Sequence, residues 1–230
     1  MLDRTSLLLY AVTDRAWTGA LSLYEQVELA LSGGVSCVQL REKQLSADDF
    51  IREAKCLLPL CHRYGAPLII NDSLSVALAA GADGVHVGQE DLSAAEVRKA
   101  AGSGFIIGTT AKTVLQAQAA EAGGADYLGV GAVFPSPTKK NAVRITHAQL
   151  KEICASVSIP AVAIGGITLE NMTQLAGSGA AGFAVVSAVF GAADIRASAQ
   201  SLRAQAAQLT EKPAPNEASA ADWGHHLLSR

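Results

Sequence analysis

Charge is scarce in this chain of 230 residues: only 17% of positions are Asp, Glu, Lys or Arg, and the formal net charge is -3. A broad nucleic-acid face or an anionic-membrane surface needs a clustered excess of Lys and Arg, which this balance argues against. Any anion bound here must be held by a few positive groups in one place. Cysteine is sparse as well. Cys37, Cys56, Cys61 and Cys154 show no CxxC spacing and no histidines at metal-site intervals, so buried free thiols are expected. Long hydrophobic runs are missing too. The apolar stretch 7–12 has Asp3 and Arg4 before it and Asp14 after it. It is too short for a signal peptide or a membrane span, and a cytoplasmic protein is expected.

What is present is a large apolar fraction, half of all residues, enough to build a sizeable core. It is distributed as short runs at 7–13, 35–40, 67–71, 84–87, 105–108, 127–130, 160–164 and 182–186. Runs this short, apolar throughout and rich in Val and Ile, read as strands buried on both faces of a parallel sheet. Between them lie helix signals. Ser46-x-x-Asp49, Ser93-x-x-Glu96 and Thr146-x-x-Gln149 have capping-box spacing, and Gly33-Gly34, Gly65, Gly81, Gly123-Gly124 and Gly177 mark helix ends. Leu23, Val27, Ala30 and Leu31, like Phe50, Ala54, Leu57 and Leu58, recur at helical spacing, and Pro59 is expected to kink or shorten its helix. A related phrase precedes several strands: Gly81-Ala82-Asp83-Gly84, Gly124-Ala125-Asp126-Tyr127 and Gly179-Ala180-Ala181-Gly182. It reads as one helix-to-strand turn used repeatedly. Eight strands alternating with helices favour a single (β/α)₈ barrel, an α/β TIM barrel, over 1–210. Positions 211–230 carry two prolines, several small polar residues and no apolar period, and read as a flexible tail with His225-His226 a solvated pair.

In such a barrel the chemistry sits just past the C-terminal ends of the strands. The second strand leads into Gln39-Leu40-Arg41-Glu42-Lys43, and alternation puts Gln39, Arg41 and Lys43 on one side. Two cations and an amide there suit a diphosphate; a solvated basic loop paired with Glu42 is the alternative. Asn71-Asp72 ends the third strand, and Gly88-Gln89-Glu90-Asp91 follows the fourth. Asp72 and Asp91 can supply the one or two carboxylates that Mg²⁺ takes, or can simply cap helices. The fifth strand is followed by the hydroxyl-rich Gly108-Thr109-Thr110-Ala111-Lys112-Thr113, and the sixth by Phe134-Pro135-Ser136-Pro137-Thr138-Lys139, rich in donors to anionic oxygens. Gly165-Gly166 after the seventh strand and Val186-Ser187 after the eighth fit a phosphate site, although a glycine pair alone also fits a tight turn. His86, inside the fourth run, reads as a hydrogen-bonded structural histidine.

These motifs, in this order on eight strands, resemble the thiamine phosphate synthase family over nearly the whole chain, from about residue 8 to 209. The resemblance implies a transferase that joins a hydroxymethyl aminopyrimidine diphosphate to a hydroxyethylthiazole phosphate, giving thiamine phosphate and pyrophosphate. It assigns Gln39, Leu40, Arg41, Glu42, Lys43, Asn71 and Lys139 to the pyrimidine diphosphate, Asp72 and Asp91 to Mg²⁺, and Thr110 to a hydroxyl near the pyrimidine. It assigns Ser136, Pro137, Thr138, Gly166, Val186 and Ser187 to the thiazole phosphate. Arg41, Lys43 and Lys139 would stabilise the leaving group, and a homodimer is suggested. Thr110 and Lys112 stand where the family often has Ser and His. A related thiazole tautomerase uses a histidine after the fifth strand; Lys112 and the complete diphosphate set favour the synthase.

Overall fold

The computed structural model describes residues 3–136 and 143–210. Its eight strands are β1 (Leu9–Val12), β2 (Cys37–Leu40), β3 (Leu68–Asn71), β4 (Gly84–Val87), β5 (Ile106–Ala111), β6 (Tyr127–Gly131), β7 (Ala161–Ile164) and β8 (Gly182–Val185). Each pairs in parallel with the next, and β8 pairs with β1, which closes a barrel. All eight runs expected from the sequence are strands. The largest difference is β5, which takes in Thr109, Thr110 and Ala111 rather than giving way to a loop. The reason is pairing on both sides: Val87 opposes Thr109, while Gly129 and Val130 oppose Thr110 and Ala111.

Helices α1 (Leu23–Ser32), α2 (Ala47–Arg63), α3 (Leu74–Ala80), α4 (Ala94–Ala101), α5 (Val114–Ala122) and α6 (His147–Ala155) follow the first six strands in turn. After β7 stands only a 3₁₀ turn, Met172–Leu175, bracketed by the left-handed glycines Gly165, Gly166, Gly177 and Gly179. The short α7 (Ser187–Phe190) and the long α8 (Ile195–Thr210) follow β8. Pro59 does not stop α2, which continues to Arg63. Ser93–Glu96 and Thr146–Gln149 form full capping boxes, as does Ser22–Glu25. Ser46 accepts from the Asp49 N–H, but the Asp49 carboxylate meets the Ser46 hydroxyl instead of its backbone N–H. Asp is one methylene shorter than Glu, which leaves the return bond unmade.

Strand alternation separates two apolar layers. Leu9, Val38, Leu40, Ile70, Val85, Ile107 and Val130 face outward into the helices. Tyr10, Val12, Cys37, Ile69, Tyr127, Val162 and Ala184 fill the barrel. Two of the expected buried thiols are buried, Cys37 and Cys61; Cys154 is half-buried and Cys56 is exposed, lying off the Phe50–Ala54–Leu57 stripe of α2. Burial pushes the Cys61 thiol up to about 12 and that of Cys154 to about 11. Among the described residues, no helix is long and apolar enough to cross a membrane.

Candidate active site

The C-terminal ends of the strands enclose a cavity of about 500 Å³, in the range of small-molecule sites. Its first side is built where β1 and β2 end. The buried Thr13 hydroxyl accepts from the Arg41 N–H at 2.9 Å, which ties the two loops together. The Arg41 guanidinium lies 3.7 Å from Asp14 and lines the cavity beside Gln39. The neighbours in that motif go elsewhere. Leu40 is fully buried and faces the helices. Glu42 turns away to accept from Arg15 at 2.9 Å, and Arg15 also reaches Glu53 of α2. Lys43 is exposed and does not line the cavity. Alternation holds only while the strand lasts, and β2 ends at Leu40.

The second side carries the acids. Asn71, Asp72 and Asp91 all line the cavity. Among the described residues, Asp72 is the non-glycine residue with a positive φ, 63°. Its N–H donates to the His86 carbonyl at 2.8 Å, so this backbone is held by β4. A non-glycine residue kept in that region costs energy, and such residues cluster at functional sites. Asp91 folds back to accept from the Gly88 N–H at 2.7 Å, which turns the loop after β4 over the cavity. Gln89 donates to the Thr110 carbonyl, and Lys112 lines the same wall.

The third side is made of backbone. Gly166 has φ 64°, and a Cβ there would stand 2.1 Å from the Pro135 carbonyl oxygen. Only glycine lets the loops after β6 and β7 meet this closely. They bring Ser136 and Gly166 to the cavity, which Val186 and Ser187 after β8 also line. Val186 precedes α7 and, among the described residues, makes no side-chain cap bond to its first turn. Of the residues assigned by resemblance, Pro137, Thr138 and Lys139 lie outside the described residues.

The floor holds two groups that sequence reasoning missed, Tyr10 and Tyr127. Gln39 Nε2 donates to the Tyr10 hydroxyl at 2.8 Å, and the two phenol oxygens are 2.7 Å apart. The Tyr127 oxygen lies 3.1 Å from His86 Nδ1, and His86 Nε2 lies 3.0 Å from the Thr110 hydroxyl. Thus His86 is hydrogen-bonded, as expected, and it also lines the cavity. Burial pushes both phenols well above the ordinary tyrosine range, so they stay protonated. The missed signal was parity: both tyrosines sit at inward positions of strands that read simply as apolar.

A cavity with carboxylates on one side and backbone donors on another is the setting into which the relatives fall. The model of the family described as thiamine monophosphate synthase matches residues 9–189. The chain belongs to the thiamine monophosphate synthase family. Thiamine-phosphate synthase of Ruminiclostridium cellulolyticum is 47% identical over 202 residues, covering 88% of this chain and 96% of that one. Thiamine-phosphate synthase 2 of Streptococcus pneumoniae is 47% identical over 199 residues, covering 86% and 95%. Among solved structures, thiamine phosphate pyrophosphorylase from Pyrococcus furiosus superposes with a TM-score of 0.84 at 38% identity, covering 90% of this chain and 99% of that one. A 3-hexulose-6-phosphate synthase, at 18% identity and TM-score 0.59, shares the fold alone. Membership in the thiamine monophosphate synthase family makes this protein a transferase of thiamine biosynthesis acting on small molecules.

Proposed function

We propose that the enzyme joins an aminopyrimidine methyl diphosphate to a hydroxyethylthiazole phosphate, with Mg²⁺-assisted, dissociative loss of pyrophosphate. The observation that supports this most is the convergence of three donor classes on one cavity: Arg41, the carboxylates Asp72 and Asp91, and the glycine-lined backbone at Gly166 and Ser187. The acids fit Mg²⁺ by chemistry. Both are hard oxygen donors from adjacent loops, and no group of three or more His, Cys, Asp or Glu suited to a metal exists among the described residues. Mg²⁺ takes one or two carboxylates and completes its shell with water and phosphate oxygens. When bound, it would neutralise charge on the departing pyrophosphate.

The chain's own residues would do the rest. Arg41, with Lys43 and Lys139 from the same resemblance, would stabilise the leaving group. Lys43 points to solvent here and would have to swing inward. Asn71 and Gln39 would orient the pyrimidine diphosphate, with Thr110 beside the ring. Leu40 and Glu42 have side chains turned away, so they would contribute backbone groups or support. Ser136, Gly166, Val186 and Ser187, with Pro137 and Thr138, would hold the thiazole phosphate. The aminopyrimidine ring delocalises the positive charge left on its methylene carbon, and the thiazole nitrogen attacks that carbon. This nucleophile has no proton to lose, so no general base is needed.

The test is to incubate the protein with both substrates and Mg²⁺, with and without excess EDTA, and quantify thiamine phosphate. Product only with free metal is the expected result. Product unaffected by EDTA would remove Mg²⁺ from the reading, and no product from folded protein would sink the reaction.

A further inference from the structure

The polar row on the cavity floor has a direction, which follows from counting protons. The Gln39 N–H can only donate, so the Tyr10 oxygen is an acceptor there. Each phenol has one proton. If Tyr10 gives its proton to Tyr127, then Tyr127 gives its own to His86 Nδ1. An accepting Nδ1 leaves the ring proton on Nε2, which donates to the Thr110 oxygen. The Thr110 proton is then the one left to face a ligand. The opposite direction keeps the same contacts with donors and acceptors exchanged, but it leaves the Tyr10 proton to the sulfur of the buried neighbour Cys37, a weak acceptor, instead of leaving the Thr110 proton to the open cavity. The His86 ring is also confined. A Cβ at Gly108 would stand 2.5 Å from its Nδ1, and one at Gly129 would stand 2.9 Å from its Cε1, so backbone lies against the ring on two strands.

We propose that Tyr10, Tyr127 and His86 are positioning residues that fix Thr110 as a hydrogen-bond donor, so that the site selects a heteroaromatic substrate presenting an acceptor, a ring nitrogen, at that point. This rests on the proposed placement of Thr110 beside the aminopyrimidine. The three residues act through Thr110. The structure gives them a role that reads out as the polarity of one hydroxyl.

Two measurements test it. The ¹⁵N shifts of His86 in the free wild-type protein, assigned by their loss in His86→Gln, should report a neutral ring with its proton on Nε2. A proton on Nδ1 would overturn the relay whatever the substrate does. Kinetics then use Tyr127→Phe, Thr110→Val and the double variant, each checked for folding by thermal melting. Tyr127→Phe should raise KM for the pyrimidine diphosphate about tenfold, the scale of one hydrogen bond, and leave KM for the thiazole phosphate unchanged. It should cost nothing further once Thr110 is Val. Full, independent effects in the double variant would overturn the relay while leaving Thr110 in the site. A Thr110→Val variant with wild-type pyrimidine KM would overturn both the relay and the placement it rests on.

Discussion

The two ends of the barrel use carboxylates in opposite ways. At the base, Asp83 and Asp126 each precede a strand, and each carboxylate accepts the N–H of the strand before: Leu68 at 2.8 Å and Ile107 at 2.7 Å. The backbone answers, with the Asp83 and Asp126 N–H groups donating to the Leu68 and Ile107 carbonyls. Partners are also at hand for the remaining charge, His62 for Asp83 and Arg98 for Asp126. At the mouth, Asp72 has a left-handed backbone and lines open space with Asp91. A carboxylate whose hydrogen bonds join neighbouring strands works for stability, whereas a strained backbone beside a cavity is of the kind that clusters at functional sites. The same residue type therefore joins strands at one end and lines the cavity at the other.

The sharpest way to break that contrast is Asp72→Gly, which removes the carboxylate and keeps the backbone comfortable. A left-handed conformation costs an L-residue roughly 1–2 kcal/mol, and glycine gives back about 0.5–1 kcal/mol through the unfolded chain. Melting should therefore hardly move. Turnover should fall about 10²–10³-fold, the scale of losing one preorganised electrostatic group. Steady-state kinetics beside a thermal melt decide the matter; activity within a few-fold of wild type would take Asp72 out of the mouth chemistry.

Much of this division was legible in the sequence. The repeated Ala-Asp phrase before strands reads as one turn reused, and at Asp83 and Asp126 it makes the same bonds. The third copy has Ala181 in place of Asp and keeps just the backbone half, Ala181 N–H to the Ala161 carbonyl at 2.7 Å. The cavity residues Gln39, Arg41, Asn71, Asp72 and Asp91 could be found because they stand at strand ends, where the fold places its mouth. Three features escaped for physical reasons. Thr109 and Thr110 are polar enough to read as loop, yet neighbours on both sides hold them in β5. Lys43 was placed by alternation, which has no force past the end of β2. Tyr10 and Tyr127 look like core aromatics, and their hydroxyls gain meaning only when strand register sets them beside Gln39 and His86.

A smaller effect should come from the base. Asp126→Ala strips the acceptor from the buried Ile107 N–H and from Arg98, while the cavity lies at the far end of the strands. Leaving a buried donor unsatisfied costs about 1–3 kcal/mol, so the melting temperature should drop measurably. KM for both substrates and turnover should stay at wild-type values when assayed well below the melt. A variant that keeps its stability but loses turnover would dissolve the distinction between the two ends.

The smallest effect tests whether base carboxylates work through charge. Glu121, at the end of α5, accepts from the Ser158 hydroxyl and N–H and from the Ile159 N–H, which joins the turn before β7 to the rest of the base. The Ser158 hydroxyl above all, then the backbone donors, hold its carboxyl below the ordinary glutamate range. A carboxyl whose folded value is depressed binds fewer protons folded than unfolded between the two values. Its contribution is therefore present above the ordinary glutamate pKa and is lost as pH falls through the lowered one. Glu121→Gln should lie slightly below wild type in melting temperature near neutral pH, and the two curves should converge on acidification through that window. Because the group is close to solvent, added salt should shrink the gap further. A gap that stayed constant across the acid limb would mean that Glu121 acts by shape and neutral hydrogen bonding, not by charge. The pH dependence of turnover should be the same in both proteins, since none of these bonds reaches the mouth.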